Sequence, residues 1–484
     1  MRLRLPQLPT GAAGSATPAG TGTVRSALGQ RNFRIVFWGS FASSIGTWMQ
    51  HVTLGAYALE LTGSPTFLSL VLFAQLGPML ALSVVGGALA DLVDRRRLLI
   101  AAQVEQLLAT AALALLVARG QPSEGALLIV VAFIGIGTAI HLPTYSAVLP
   151  ALVERRQLAG AVALNSTQMN VARVVGPALG GVTFAAFGAA AVFALNSVTY
   201  LFAIAALVIV RIPPVEVEPG TAVGWRRLVG GFAVARRDPL VRRCLIAMAV
   251  FSFLCLPFIG QMPTLAAQNL GIAPRSVAYG MLYTCFGVGA IVGAVSIGTF
   301  LARRSRERLV QAGLLGFAVS LAAFGLLRAP APAYPVAVVV GFFYFATITS
   351  LSVVLQERLA DAVRGRVMAL WAMAFGGTIP LGHLLAGPVA EATSITLVIG
   401  YGVAAALVLA AYTDLARAGA APGSFTSRAS QPGPVSPVDA SSASPGAPSP
   451  AAFAPAAAGA RATPPAGRPP AGPPAAPDPP PGCP

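Results

Sequence analysis

Among the ionisable side chains inside long apolar stretches of this chain are His51, Glu105, His141 and Arg173. A charge or imidazole within hydrocarbon is costly, so each is a candidate for binding, proton transfer or pairing. Glu105 is the internal carboxylate best suited to carry a proton; the alternative is pairing with the arginines at 95–97. Arg173 opens "RVVGPALGG", with Gly176, Pro177 and Gly180 close behind. Proline removes a backbone donor and kinks a helix, while glycines permit close approach. The grouping predicts a hinge, with Arg173 pairing a carboxylate or a helix end. His51 and His141 are expected to line a cavity or to pack between helices.

A second concentration of charge is "GGALADLVDRRRLL", Gly86 to Leu99. Gly87 lies about one helical turn before Asp91. A small residue there lets another helix come near, and an aspartate is favoured at a helix N-terminus. Asp94, Arg95 and Arg96 complete a candidate gate; a charged cap on a hairpin is the plainer reading. Trp48, Gln50, Gln75, Asn165, Gln168, Asn170 and Trp371, with the two histidines, are candidates for a central cavity. Their mixed apolar and amide character suits an amphiphilic organic substrate. No Gly-rich loop ending in Lys-Ser/Thr is present, nor H-E-x-x-H or G-x-S-x-G in a suitable setting. The four cysteines form no C-x-x-C pair. No catalytic residue, cofactor or metal is therefore expected, and the chain does not read as an enzyme.

The elements that must hold these residues follow from composition. Of 484 residues 56% are hydrophobic and 10% charged, with a mean hydropathy of +0.74. Soluble domains carry about 25% charged residues. Twelve apolar segments can be read between about 34 and 415, each near the roughly 20 residues that span a bilayer. Backbone groups in lipid must be paired internally, so the segments are expected as helices. The basic residues, all arginine, test the count: 28 of 32 fall in alternate connections and the two tails, and three in the other connections. By the positive-inside rule both termini are expected in the cytoplasm. The formal charge of +16 is thus a topology signal rather than a nucleic-acid surface.

The expected plan is an all-α membrane protein of twelve transmembrane helices in two pseudo-symmetric six-helix halves. A disordered cytoplasmic N-tail (1–31) precedes a first half (32–210), and a central loop (211–243) carries a basic amphipathic helix on the inner leaflet. A second half (244–415) precedes a Pro/Ala-rich C-tail (416–484) with the composition of disorder. A weak internal repeat at a shift of 206 residues supports the division. It relates Leu164 to Leu370, Gly176 to Gly382, Gly181 to Gly387 and Gly87 to Gly293. Two parallel six-helix repeats are a known transporter plan, with the substrate between them near the midplane.

"GGALADLVDRRR" resembles the loop between helices two and three of the major facilitator superfamily, roughly G-x-L-A-D-R-x-G-R-R. Gly87, Leu89, Ala90, Asp91, Arg95 and Arg96 match; Leu92 and Asp94 stand where that pattern has arginine and glycine. "GTWMQHVTLGAYALELTGSP", "LNSTQMNVARVVGPALGG", "VRGRVMALWAMAFGGTIPLG" and "RRDPLVRR" are similar to the transmembrane secretion effector branch, which includes enterobactin-exporter-like permeases. The resemblance covers about 31–415. It implies the major facilitator fold, a bacterial inner-membrane location, and export of a small organic molecule by alternating access with protons as counter-substrate. A monomer is expected, with the lipid bilayer and a small molecule as partners. The competing readings are an importer, a membrane-embedded enzyme, and a scaffold using the Pro-rich tail.

Overall fold

Each of the twelve apolar segments is helical in a computed structural model that describes residues 24–212 and 225–413. The side chains at 81, 83–92, 225–230 and 361–362 lie outside the description, as do the expected tails before 24 and after 413. The described residues belong to one compact unit. Its first helices are α1 (Val24–Gly29), α2 (Arg31–Thr62), α3 (Pro65–Leu92), α4 (Arg95–Ala118), α5 (Glu124–Val148), α6 (Leu158–Phe187) and α7 (Ala189–Ile209). Then come α8 (Trp225–Arg237), α9 (Pro239–Val250), α10 (Pro257–Gly260), α11 (Met262–Gln268), α12 (Val277–Gly298) and α13 (Arg306–Leu326). The last four are α14 (Pro330–Arg358), α15 (Asp361–Ala372), α16 (Thr378–Ala392) and α17 (Ile395–Tyr412). Among the described residues ten helical stretches are long and apolar enough to cross a membrane. The first two expected segments are helical too, α2 over 32 residues and α3 over 28.

Short polar side chains start several of these helices. Asp94 accepts from the Arg97 amide at 2.8 Å, and Ser123, Ser276, Ser305 and Ser394 cap α5, α12, α13 and α17 in the same way. Each satisfies a donor the helix cannot pair itself. Gly63 ends α2 at φ +68°, the left-handed region that glycine enters without strain. The structure moves two expected boundaries. Residues 24–29, inside the tail expected as disordered, form α1, which packs on α6 with Ala27 buried. Helix α9 begins at Pro239, inside the stretch read as loop to 243, because Asp238 caps it through the Leu240 and Val241 amides at 2.9 and 3.2 Å. Asp-Pro is a helix start, with proline tolerated at the first position. Preceding it, α8 is a helix with Arg236 and Arg237 in its last turn. Its Gly231 lies against the Arg366 carbonyl and Leu370 of α15, so one face of α8 is a protein contact.

Packing divides the helices into two groups with the same internal pairings. In the first, α3 packs on α5, α4 on α5 and on α7, and α2 on α6 and α7. In the second, α12 packs on α14, α13 on α14 and on α17, and the α9–α10 segment on α16 and α17. The groups meet where α6 packs on α12 and α3 on α16. The 206-residue repeat runs through these contacts. Gly176 receives α2, with Trp48 Cβ 2.5 Å from where its own Cβ would be; Gly382 receives the Phe253 carbonyl and Pro257 from the corresponding segment. Gly181 and Gly387 both face the other group. In lipid, where apolar burial gives helices little reason to associate, such close backbone approach supplies the packing.

Two helices are irregular. Phe251–Cys255 and Met373–Gly377 form π-helical turns, one between α9 and α10 and the other between α15 and α16. They lie side by side, and Thr378 Oγ1 donates to the Ala249 carbonyl at 3.2 Å nearby. Around them Phe251, Phe317, Phe258, Phe286 and Tyr344 form an aromatic cluster with centroids 5.1–6.2 Å apart. Edge-to-face and offset arrangements of this kind are the favoured ones.

The interface between the helix groups

The contacts between the two groups collect toward the end of the bundle that holds the α2–α3, α6–α7 and α16–α17 turns. There Glu391 of α16 accepts from Ser64 Oγ at 2.7 Å and from the Thr66 amide at 3.0 Å. Gln261 Nε2 donates to Ser69 Oγ at 2.7 Å and to the Pro65 carbonyl at 3.0 Å. Gly387 lies against Ser69 and the same Pro65 carbonyl. Across the bundle Gly181 of α6 meets Gly280 of α12 backbone to backbone. Arg275 Nε donates to the Phe184 carbonyl at 3.2 Å, and its guanidinium lies 5.9 Å from the Phe184 ring. These bonds seal one end through small residues and a few polar groups.

Arg173 lies deeper in the same interface. Its guanidinium carbon is 5.2 Å from the Trp48 ring centroid in the first group and 4.4 Å from that of Phe345 in the second. Nη1 donates to Asn170 Oδ1 at 3.1 Å, and Asn170 Nδ2 donates in turn to the Ser166 carbonyl. The expected carboxylate or helix-end partner is not among its described hydrogen bonds; two aromatic faces take that place. Cation–π contacts of this type strengthen when water is excluded. Gly176 and Gly180 admit Ile45, Trp48 and Met49 of α2, and Gly287 of α12 lies 3.1 Å from the Arg173 carbonyl by its Cβ position. The "GPALGG" run thus packs against both groups at once.

An imidazole overlooked in the sequence completes the site. His383 of α16 is buried, its Nδ1 has no partner, and its ring fills the space that Gly260 leaves by lacking a Cβ. Leu72 of α3 meets the same Gly260, so His383 stands where the two groups touch. His51 of α2 packs edge-on to Trp48 at 5.6 Å, and Gln75 of α3 is buried with its Oε1 unpartnered. The sequence signal was slight: His383 is the one histidine of the second half, inside "TIPLGHLLAG".

The other expected site residues are dispersed. Gln50 is buried and accepts from Asn196 Nδ2 at 2.7 Å, which ties α2 to α7. Gln168 is buried and donates to Ser44 Oγ at 3.3 Å. Trp371 is buried in the core of the second group. Asn165 is half-buried on α6, and His141 stacks on Tyr145 at 5.6 Å. At the other end of the bundle Asp94 caps α4. Arg95 Nη1 donates to the Ala147 carbonyl at 3.4 Å, and Arg96 to the Leu207 and Val208 carbonyls at 2.8 and 2.6 Å. Cationic side chains at helix C-termini are favourably placed. Gly87 and Asp91 fall in α3, and their side chains lie outside the description.

Glu105 stands apart from the interface. It lies in the middle of α4, against Gly137 of α5, and both carboxylate oxygens are buried without a hydrogen-bond partner. Among the described residues no three His, Cys, Asp or Glu side chains converge as metal ligands would.

A sequence profile described as transmembrane secretion effector matches residues 23–436. Macrolide efflux protein A of Streptococcus pyogenes is 24% identical over 373 residues, covering 74% of this chain and 89% of that protein. The staphyloferrin A transporter of Staphylococcus aureus is 26% identical over 355 residues, covering 72% and 87%. The crystal structure of a bacterial homologue of the human lysosomal transporter Spinster, inward-facing and unoccupied, superposes with a TM-score of 0.66 at 15% identity. That match covers 80% of this chain and 98% of the other. The fold is shared at that identity; the arrangement of side chains described above belongs to this chain.

Proposed function

Because the chain belongs to the transmembrane secretion effector family, we propose that it exports a small organic molecule by alternating access. It is a multi-pass membrane protein. The relatives named for macrolide efflux and staphyloferrin transport support a small organic substrate, and the efflux relative supports an outward direction. The observation that carries the reading is the paired contact between the groups. Gly181 on Gly280 and Gly387 on Ser69 are repeat-related, and both lie at one end. Two groups held by small residues at one end can separate there and close at the other at little cost in side-chain rearrangement.

In this reading residues 31–209 and 239–412 hold the two moving halves of a twelve-helix monomer. The arginine-rich end faces the cytoplasm of a bacterial inner membrane. Gly87, Asp91, Asp94, Arg95 and Arg96 form the gate at that end, and Arg173, Gly176, Pro177 and Gly180 the pivot. Trp48, His51, Gln75, His141, Asn165 and Asn170 face the substrate path. Protons are the counter-substrate, held by Glu105 within the first half and by His51 with His383 across the interface. Flux into inverted membrane vesicles, with and without an imposed pH gradient, tests the proposal. Accumulation that rises when the vesicle lumen is acid supports it; flux indifferent to the gradient removes proton antiport, and flux only out of the vesicles reverses the direction.

A further inference from the structure

Glu105 is, among the described residues, the carboxylate deepest in a membrane-crossing helix. Ten residues separate it from Arg95 and thirteen from Ala118, about 15 and 20 Å along the axis. Both oxygens are buried and unpartnered. They are turned under against Gly137, where any larger residue would put its Cβ into the carboxylate. The stem of Glu105 forms part of the floor of a groove of about 470 Å³ on the α4–α5 surface. Val104, Leu108 and Ala112 wall it from α4, and Val130 and Phe133 from α5. The groove opens outward, since Leu108 is 61% and Phe133 54% exposed. The helix α4 packs on α3, α5 and α7, so this face turns away from the second group.

A lone carboxylate beneath an apolar groove, on a face that meets lipid, combines two demands. Acyl chains satisfy the walls and leave the carboxylate without a partner, which is expensive in hydrocarbon. A soluble cation satisfies the charge and leaves the walls unfilled. Both are met by a body that is apolar in bulk and carries one positive nitrogen or phosphorus, and such a body reaches the groove through the bilayer. The volume is that of a small-molecule site. The geometry points to a lateral binding site for membrane-soluble organic cations in the α4–α5 groove, with Glu105 as counter-ion after rotation about its side-chain bonds. The site does not depend on the export reading, because binding requires neither flux nor a gradient.

Tetraphenylphosphonium and tetraphenylborate are near-identical in shape and opposite in charge, and they make the test. The full chain is placed in nanodiscs of zwitterionic phosphatidylcholine, and equilibrium binding of each radiolabelled ion is measured. Wild-type protein is expected to bind the cation saturably and the anion without saturation. Glu105→Gln is expected to weaken the cation by about tenfold or more. Ala112→Phe, which keeps the charge and fills the groove, is expected to weaken it similarly. Both variants are checked for wild-type elution and helicity; one that fails these checks is replaced by Glu105→Asn or Leu108→Trp. Absence of saturable cation binding overturns the proposal. So does equal binding of cation and anion, which is the behaviour of a lipid-filled groove. Loss in Glu105→Gln with full binding in Ala112→Phe overturns it as well, because the charge then acts elsewhere.

Discussion

Gly181 and Gly280 face each other so closely that a Cβ on either would lie 2.7–2.8 Å from the other's Cα. The contact joins the two helix groups at one end, and no other residue type fits it. Overpacking a tight contact typically costs about 1–3 kcal/mol, which is about 5- to 150-fold in a two-state population. Gly181→Leu is expected to hold that end open and lower export accordingly, with the protein still folded. Thiol labelling of a cysteine introduced at Ser276, compared with and without the substitution, reads the opening directly.

Arg173 is held between Trp48 and Phe345, one ring from each group. Each cation–π contact is worth about 0.5–2 kcal/mol. Arg173→Ala is expected to reduce flux strongly, and Phe345→Leu and Trp48→Leu more mildly. A double-mutant cycle on Trp48 and Phe345 checks the arrangement: the two effects are coupled with Arg173 present and additive once it is alanine.

Glu391 bridges to Ser64 and Thr66 through a carboxylate oxygen that accepts both bonds. Glu391→Gln keeps the shape and removes the charge, so the closed end is expected to loosen without loss of fold. Thiol labelling of a cysteine introduced at Ser69, which is buried in the same junction, is expected to be faster in Glu391→Gln than in its parent.

His383 fills the space beside Gly260, where Leu72 of the first group also reaches. His383→Gln is expected to leave downhill substrate movement in place and abolish its response to a pH gradient. Gly260→Ala, whose methyl group displaces the ring, is expected to do the same. The ratio of flux with and without the gradient is the measurement, and a ratio equal to wild type in both variants defeats the assignment.

Asp94 is a helix cap: its side chain accepts the Arg97 amide. Asp94→Ala is expected to cost about 1 kcal/mol, as cap removal does, and Asp94→Ser to restore most of it. Thermal unfolding in detergent, read on a tryptophan-fluorescence scan, distinguishes the two. A gate role for Asp94 beyond the cap would appear as lost flux in Asp94→Ser at restored stability.

The helical segments were legible because long apolar runs leave the backbone one way to pair itself in lipid. The repeat was legible in four residue pairs, and in the structure Gly176 with Gly382 and Gly181 with Gly387 make corresponding contacts. The start of α9 was hidden because Asp238-Pro239 sits inside a run of arginines that reads as loop. The π turns were hidden because they arise from packing: Gly382 takes up the Phe253 carbonyl, a contact no local pattern encodes. Face assignment was the weakest element. Gln50 looks like a cavity residue from its neighbours Trp48 and His51, yet it turns to Asn196 on α7. An all-apolar helix gives periodicity too little contrast to say which side a polar residue takes.

The π turns at Phe251–Cys255 and Met373–Gly377 lie in the second group and touch each other; among the described residues of the first group there is none. An extra residue in a turn loosens the backbone ladder and lets a helix flex there. The molecule is therefore symmetric in helix pairing but not in backbone regularity: the first group interrupts its helices with single prolines at 78, 143 and 177, the second with two adjoining π turns.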